Sequence, residues 1–284
     1  MSASNMFLDQ LTGSFSTPAA ENPTVAMIEA AYRHHGIAAR YINCEVQPED
    51  LREAVRGARA MRWIGFNCSI PHKVAVIEHL DQLTDAARLI GAVNCVAIRD
   101  GELIGENTDG KGFLASLQTV TDPVGKKVLV LGAGGAARAI AIELALAGAA
   151  HIAIANRNDR GAELAEHIDA KTPACAEFLQ WSGDVSVPDG TDIVVNATPV
   201  GLYPDVEASP AFDFQSLSAS MVVADVIPNP PRTAFLKSAG MRGCQTLDGL
   251  GMLVNQGIAG IAFWTGMQVE AAPMRAALSD IFAV

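Results

Sequence analysis

The sequence predicts two open α/β sheets carried by one chain, and three observations support that. Apolar runs of strand length alternate with amphipathic segments of helix length, twice over, along 284 residues. Half of the residues are apolar, enough for a core in each of two ordinary-sized domains. The stretch Val128-Leu-Val-Leu-Gly-Ala-Gly-Gly-Ala-Ala-Arg-Ala-Ile140 reads as a buried parallel strand, a tight glycine turn and a helix.

In chain order, residues 8–18 read as a short strand breaking into a Ser/Thr loop. Asn22 is placed to cap a helix, with Pro23 at its first position, an apolar stripe of Val25, Ile28 and Tyr32, and Gly36 at its end. Residues 40–46 read as a strand. Residues 48–60 read as a helix with Leu51, Ala54, Val55 and Ala58 on one face. A strand at 63–70 runs into Pro71-His72-Lys73 and a helix to about Leu80, with another short helix at 83–89. Residues 93–98 and 102–105 form a hairpin around Asp100-Gly101, a strong two-residue turn signal. Asn107-Thr-Asp-Gly110 then leads to a helix at 112–117, and the loop at 119–125 is the domain boundary.

Beyond it come strand 128–131, helix 136–147, strand 151–156, helix 159–168, a weaker strand at 174–178, buried strands at 192–197 and 221–226, and a helix at 233–239. Residues 250–284 read as two helices broken at Thr265-Gly266; spacing alone leaves open which sheet they cover.

Bulk properties exclude several function classes. Lys+Arg 20 against Asp+Glu 31 gives a net charge of −11, which argues against a nucleic-acid partner but not against a small anion in a local pocket. Five dispersed cysteines without a C-x-x-C pair read as reduced thiols of a cytoplasmic protein. Met1-Ser-Ala-Ser-Asn-Met-Phe7 lacks the basic start and apolar core of a leader, and no uninterrupted apolar run has membrane-spanning length. The six histidines show no metal-ligand spacing.

The glycine turn points to a dinucleotide. Gly132 makes the turn, Gly134 lets a pyrophosphate approach the backbone, and Ala137 allows close helix–strand packing. Gly132, Ala133, Gly134, Gly135 and Ala136 then surround the phosphates with open helix-start N–H groups. The next strand ends at Asn156, 24 residues after Gly132, where Asn156, Arg157 and Asn158 would meet the ribose. Arg157 suits the 2′-phosphate of NADP; Asp159, turned inward, would suit NAD, so both coenzymes stay open. After Thr198, Pro199 and Gly201 of Asn196-Ala-Thr-Pro-Val-Gly201 make a fixed turn where the nicotinamide ribose would lie, so Thr198 and Pro199 are candidate coenzyme contacts, and Gly249 opens a Gly-rich helix start that carries Gln256.

Substrate chemistry would come from loops at strand ends. Lys73, in Asn67-Cys-Ser-Ile-Pro-His-Lys73, could exchange a proton there, or be a solvated helix-start lysine; His72 reads as a surface or capping residue. Asn94 and Asn107 can each donate and accept, as a polyhydroxylated ligand requires. Asp109 could be catalytic, cap the following helix, or both.

Taken together, Gly65-Phe-Asn-Cys-Ser-Ile-Pro-His-Lys73, Gly91-Ala-Val-Asn94, Gly105-Glu-Asn-Thr-Asp-Gly110, Asn196-Ala-Thr-Pro199 and Asp248-Gly-Leu-Gly-Met-Leu253 with Gln256 resemble the shikimate/quinate dehydrogenase family in order and over nearly the whole chain. The resemblance implies a substrate-binding domain, residues 1–110 completed by 250–284, with a Rossmann NAD(P)-binding domain, 111–249, inserted. It implies reversible hydride transfer between NAD(P)H and 3-dehydroshikimate, a small anionic hydroxylated cyclohexane carboxylate, in aromatic amino acid biosynthesis. Lys73 matches the family's catalytic lysine and Asp109 its partner. Asn94, Gln256 and Ser69 match substrate-binding positions, and Ser14 and Ser16 match the hydroxyl pair that holds the substrate carboxylate.

This chain departs from the pattern at Ser14-Phe-Ser-Thr-Pro18, with one extra residue before Glu21-Asn22, which marks a divergent member. A quinate dehydrogenase using NAD and a non-catalytic dinucleotide-binding sensor are the competing readings. A monomer and a homodimer are both compatible with the sequence.

Overall fold

The computed structural model describes residues 8–282. The leader reading of Met1–Phe7 and the last two residues lie outside it. The chain divides into two compact units: one runs to Thr108 and resumes at Gly257, and the other comprises Asp109–Gln256.

The first unit is built from β1 (Gln10–Ser16), α1 (Thr24–His35), β2 (Ala39–Glu45), α2 (Leu51–Ala60), β3 (Gly65–Cys68), the short α3 (His72–Ala75), β4 (Gln82–Leu83), α4 (Asp85–Ile90), β5 (Cys95–Arg99) and β6 (Glu102–Glu106). Its six strands lie in the order β2-β1-β3-β5-β6-β4. β1 pairs in parallel with β2 and β3, whereas β5 runs antiparallel to both β3 and β6. Side chains alternate across the sheet. Phe15 of β1 faces Leu51, Val55 and Ala58 of α2, together with Phe66, Cys68, Val96 and Leu103. The other face carries Thr12, Ser14 and Ser16, all 2% exposed or less. That face is polar and buried at once.

The second unit contains α5 (Thr108–Leu117, which begins at the boundary), β7 (Lys127–Leu131), α6 (Gly135–Leu146), β8 (His151–Asn156), α7 (Arg160–Lys171), β9 (Cys175–Gln180), β10 (Ile193–Asn196), β11 (Val222–Asp225), α8 (Ala234–Met241) and β12 (Gln245–Leu247). All pairs are parallel, in the order β12-β11-β10-β7-β8-β9. Strand order reverses between β7 and β10, so their carboxyl ends form the crevice where such sheets bind ligands.

Two helices close the chain, α9 (Gly249–Thr265) and α10 (Ala271–Phe282). Beyond Gly257 they return to the first sheet. The Trp264 indole N–H donates to the Val96 carbonyl at 3.0 Å and fills the space over Gly65, where a Cβ would come within 2.2 Å of the ring. Arg99 donates to the Phe263 carbonyl at 2.7 Å, and α10 packs on α1. Spacing left open which sheet these helices cover; the part beyond Gly257 packs with the first unit, and Gly249–Gln256 belongs to the second.

Three local expectations change. β1 continues through Ser16, so both serines stand on a strand rather than in a loop. β4 and β12 were not anticipated, because strands of two and three residues are too short to show alternation. Helix α5 begins at Thr108, placing Asp109 inside the first turn instead of at the cap. Among the described residues no helix is long and apolar enough to cross a membrane.

Candidate active site

On the coenzyme side, β7 ends at Leu131 and the chain turns at Gly132, whose φ of +104° disfavours any side chain. A Cβ there would stand 3.2 Å from both the Ala197 carbonyl and Thr198 Cγ2, so the turn fits closely against the end of β10. Gly134 and Gly135 are exposed, with nothing within 4 Å of a built Cβ. α6 starts there without a side-chain cap, leaving its first N–H groups open to an anion. Ala133 and Ala136 flank them half-buried, and Ala137 is fully buried. This cradle fits a pyrophosphate.

At the end of β8 the Asn156 amide donates to the Asn158 carbonyl oxygen and Oδ1, at 3.1 and 2.9 Å. Asn158 Oδ1 also accepts from Arg160 N, so these amides fold the loop on itself. The Arg157 guanidinium lies 5.9 Å from the Trp181 ring centroid, and Gln180 holds the Arg157 carbonyl. An amide thus ends the strand where an NAD site would present a carboxylate, and an arginine follows it. The residues fit the adenine ribose of NADP.

Thr198 and Pro199 are fixed by a network that was not anticipated. Asn196 Oδ1 accepts from Thr198 N and Oγ1, at 3.1 and 2.7 Å, and its amide donates to Asp225 Oδ2 at 3.1 Å. Asp225 also accepts from Thr233 Oγ1 at 2.8 Å and Ile227 N at 3.1 Å. Burial pushes the Asp225 carboxyl up to about 6, against the pull of these donors. The sequence signal was a carboxylate ending an otherwise apolar strand. Gly249 starts α9 against the Ile227 carbonyl, and Gln256, two turns on, is buried.

On the substrate side, β1 ends beside the loop that leads to Lys73. Ser69 N donates to the Phe15 carbonyl at 3.0 Å and Thr17 N to that of Ile70 at 3.1 Å. Ser69 and Lys73 are half-buried. The Lys73 carbonyl accepts from Val93 N at 2.7 Å, and its charge opposes the upward push of burial on the Cys68 thiol. His72 departs from the surface reading: it is 1% exposed, its ring nitrogen 2.8 Å from the Val46 carbonyl oxygen.

Asn94 is anchored within the fold. Its Oδ1 accepts from Thr108 N at 2.6 Å and its amide donates to Thr108 Oγ1 at 3.0 Å, tying down the start of α5 next to Asp109. Asn67, not singled out before, donates to the Asn94 carbonyl and accepts from the Tyr41 hydroxyl, both at 2.9 Å. The Asn107 amide donates to the Ala92 carbonyl at 3.1 Å.

The two serines differ. Ser14 Oγ donates to Asn43 Oδ1 at 2.9 Å and accepts from the Asn22 amide at 3.3 Å. Ser16 Oγ is buried and has no hydrogen-bond partner among the described residues. Ser14, Ser16, Lys73, Ser69 and Asn94 therefore gather at the carboxyl ends of the first sheet, whereas Asp109 and Gln256 belong to the second unit.

Three family models cover most of the chain: the shikimate dehydrogenase substrate binding domain over residues 15–96, shikimate/quinate 5-dehydrogenase over 115–200, and the shikimate 5′-dehydrogenase C-terminal domain over 249–278. A shikimate dehydrogenase (NADP(+)) of Desulforamulus reducens is 40% identical, over 94% of this chain and 93% of its own. The ligand-free 5-ketofructose reductase of Gluconobacter sp. strain CHM43 is 61% identical with a TM-score of 0.95, over 98% of this chain and all of that one. The shikimate 5-dehydrogenase of Listeria monocytogenes, in complex with shikimate and NAD, is 34% identical with a TM-score of 0.89, over 95% and 96% of the two chains.

Proposed function

The chain belongs to the shikimate/quinate dehydrogenase family of NAD(P)-dependent oxidoreductases, and from that membership we propose that it reversibly reduces the ketone of a small polyhydroxylated substrate, with NADP(H) as the preferred coenzyme. The observation that carries the reading is the half-buried Lys73 at the carboxyl ends of β1 and β3, among Ser16, Ser69 and the Asn67–Asn94 pair. When bound, the reduced nicotinamide supplies the hydride. Lys73 Nζ gives its proton to the carbonyl oxygen as that oxygen becomes a hydroxyl, and takes it back in the oxidative direction. The family's pattern gives that lysine an aspartate partner, and Asp109 matches its position. Asn94 positions the start of α5, and with it Asp109. Gly134, Gly135 and the α6 N-terminus hold the pyrophosphate, and Arg157 holds the 2′-phosphate.

Two substrates suit this chemistry. 3-Dehydroshikimate, reduced to shikimate in aromatic amino acid biosynthesis, is supported by the three family models and the relative from Desulforamulus reducens. 5-Ketofructose is supported by the 61% identity to the reductase from Gluconobacter and by the committed Ser14 hydroxyl, which leaves Ser16 without its expected companion for a carboxylate. For this chain the neutral keto sugar is the better fit. A cytoplasmic setting accompanies either reading, supported by five free cysteines.

The test is NADPH and NADH oxidation with each ketone, and the reverse reaction with shikimate and quinate. The expected result is turnover with NADPH, and kcat/KM for 5-ketofructose at least about tenfold above that for 3-dehydroshikimate, ~1.4 kcal/mol in the barrier. Preference for 3-dehydroshikimate would restore the shikimate reading. Coenzyme binding without turnover on any of the four would leave a sensor.

A further inference from the structure

Between β1 and α1 the segment from Thr17 to Asn22 is strapped onto β2 by two side chains, Asn43 and Glu45. The Asn43 amide donates to the Asn22 carbonyl at 2.9 Å and to that of Ala19 at 3.3 Å. Glu45 accepts from Thr17 Oγ1 with one carboxylate oxygen and from Ala19 N, at 2.6 Å, with the other. The Asn22 amide returns to Ser14 Oγ. Parallel register sets Asn43 beside Ser14 and Glu45 beside Ser16, and neighbours across parallel strands share a face about 4.8 Å apart.

A substrate carboxylate needs two or more donors and no competing anion. A neutral hydroxyl needs one donor or one acceptor. Here the Ser14 proton is spent on Asn43, the Ser14 lone pair faces the Asn22 amide, and the neighbour of the unpartnered Ser16 hydroxyl carries a carboxylate. The two bonds to Thr17 and Ala19 keep that carboxylate ionised, holding its pKa below the ordinary range.

We infer that Asn43 and Glu45 are specificity-determining residues, selecting an uncharged polyhydroxy ketone and rejecting one bearing a carboxylate. Asn43 removes a donor that an anion would need, and Glu45 opposes the anion's charge. The inference rests on the proposed ketone reduction and adds to it the residues that select its substrate class.

The experiment compares kcat/KM for 5-ketofructose and 3-dehydroshikimate at saturating NADPH in wild type, Asn43→Ala, Glu45→Gln, the double variant and Asn43→Asp. The double variant is expected to shift the ratio toward the carboxylate at least tenfold, mainly through KM for 3-dehydroshikimate. Asn43→Asp keeps an acceptor for Ser14 and adds a charge, so it is expected to shift the ratio the other way. Ratios within twofold of wild type in both the double variant and Asn43→Asp overturn the inference. Should thermal melts show Asn43→Ala unfolded, the decision falls to Asn43→Asp and to Glu45→Gln, whose residue is exposed. A wild type that reduces neither ketone refutes the proposed function itself. One that reduces 3-dehydroshikimate as well as the keto sugar refutes only the selection by Asn43 and Glu45.

Discussion

Asp225→Asn isolates the network that holds Thr198 at the crevice between β7 and β10. In the folded chain burial raises the Asp225 carboxyl to about 6; unfolded, an aspartate titrates near ~3.9. Between those values the folded state binds the proton that the unfolded state has lost. Stability therefore falls as pH rises through this window, and is greatest from this group below ~3.9. Two units at ~1.36 kcal/mol each give about 3 kcal/mol in all. The residue is 1% exposed, so solvent screening takes little from that figure. Asparagine cannot titrate. It also turns one acceptor into a donor facing the donors of Asn196 and Thr233, a pH-independent cost of about 1–3 kcal/mol. Urea unfolding of both proteins at pH 4, 5, 6 and 7 separates the two effects. The variant is expected to start less stable at pH 4 and to gain about 2–3 kcal/mol on wild type by pH 7, while its KM for NADPH rises because Thr198 loses its anchor. A stability difference flat within about 0.5 kcal/mol across the range would refute an ionising Asp225 at the centre of this network.

Lys73→Met is expected to lower kcat by roughly 10²–10⁴ with NADPH affinity unchanged, read by coenzyme fluorescence titration; a loss under tenfold removes Lys73 from proton transfer. Arg157→Ala is expected to raise KM for NADPH about tenfold or more and leave KM for NADH within twofold, and equal effects on both coenzymes would show that it meets no 2′-phosphate. Gly132→Ala puts a side chain at φ +104° and 3.2 Å from Thr198 Cγ2, so both coenzymes are expected to bind at least fivefold more weakly, with a stability loss of about 1–3 kcal/mol by thermal melt. Ser16→Ala is expected to stabilise the fold by about 1 kcal/mol and raise KM for the ketone at least fivefold, whereas Trp63→Phe leaves the kinetics unchanged.

What the sequence made legible was local. The glycine turn, the strand before it and the helix after it depend on residues adjacent in the chain, and they fold as expected. The strand–loop–helix around Lys73 is equally local. Asn43 was invisible for the opposite reason. Ala-Arg-Tyr-Ile-Asn-Cys-Glu reads as a half-buried strand, and only the register Ser14↔Asn43, set across the α1 crossover, shows that its amide meets a serine 29 residues away. Asn94 was read as a ligand residue because asparagine can donate and accept; its donation and acceptance toward Thr108, 14 residues on, left no mark in the chain order. The placement of the last helices needed the shape of Gly65 and Trp264, one lacking a side chain where the other requires room. Short strands such as β4 left no periodic trace.

Among the described residues of the first unit two buried polar atoms lack partners, Ser16 Oγ and Trp63 Nε1, and the contrast between them bears on what the site is. Each costs the fold roughly 1–3 kcal/mol relative to a satisfied group. Trp63 faces the apolar side of the sheet, its ring 5.9 Å from that of Phe15 and tight against Gly13. Its indole contributes volume, and the unmet N–H accompanies a side chain chosen for size. Ser16 contributes almost no volume, and alanine would fill its place without the penalty. It stands on the polar face, beyond Thr12 bonded to Tyr32 and Ser14 bonded to Asn43, in a row where each preceding hydroxyl is satisfied from within. A hydroxyl left unmet at the end of such a row, beside the loop to Lys73, is explained by a partner that comes and goes. Under the proposed function the substrate supplies that partner, and a single hydroxyl on a neutral sugar is enough to do so.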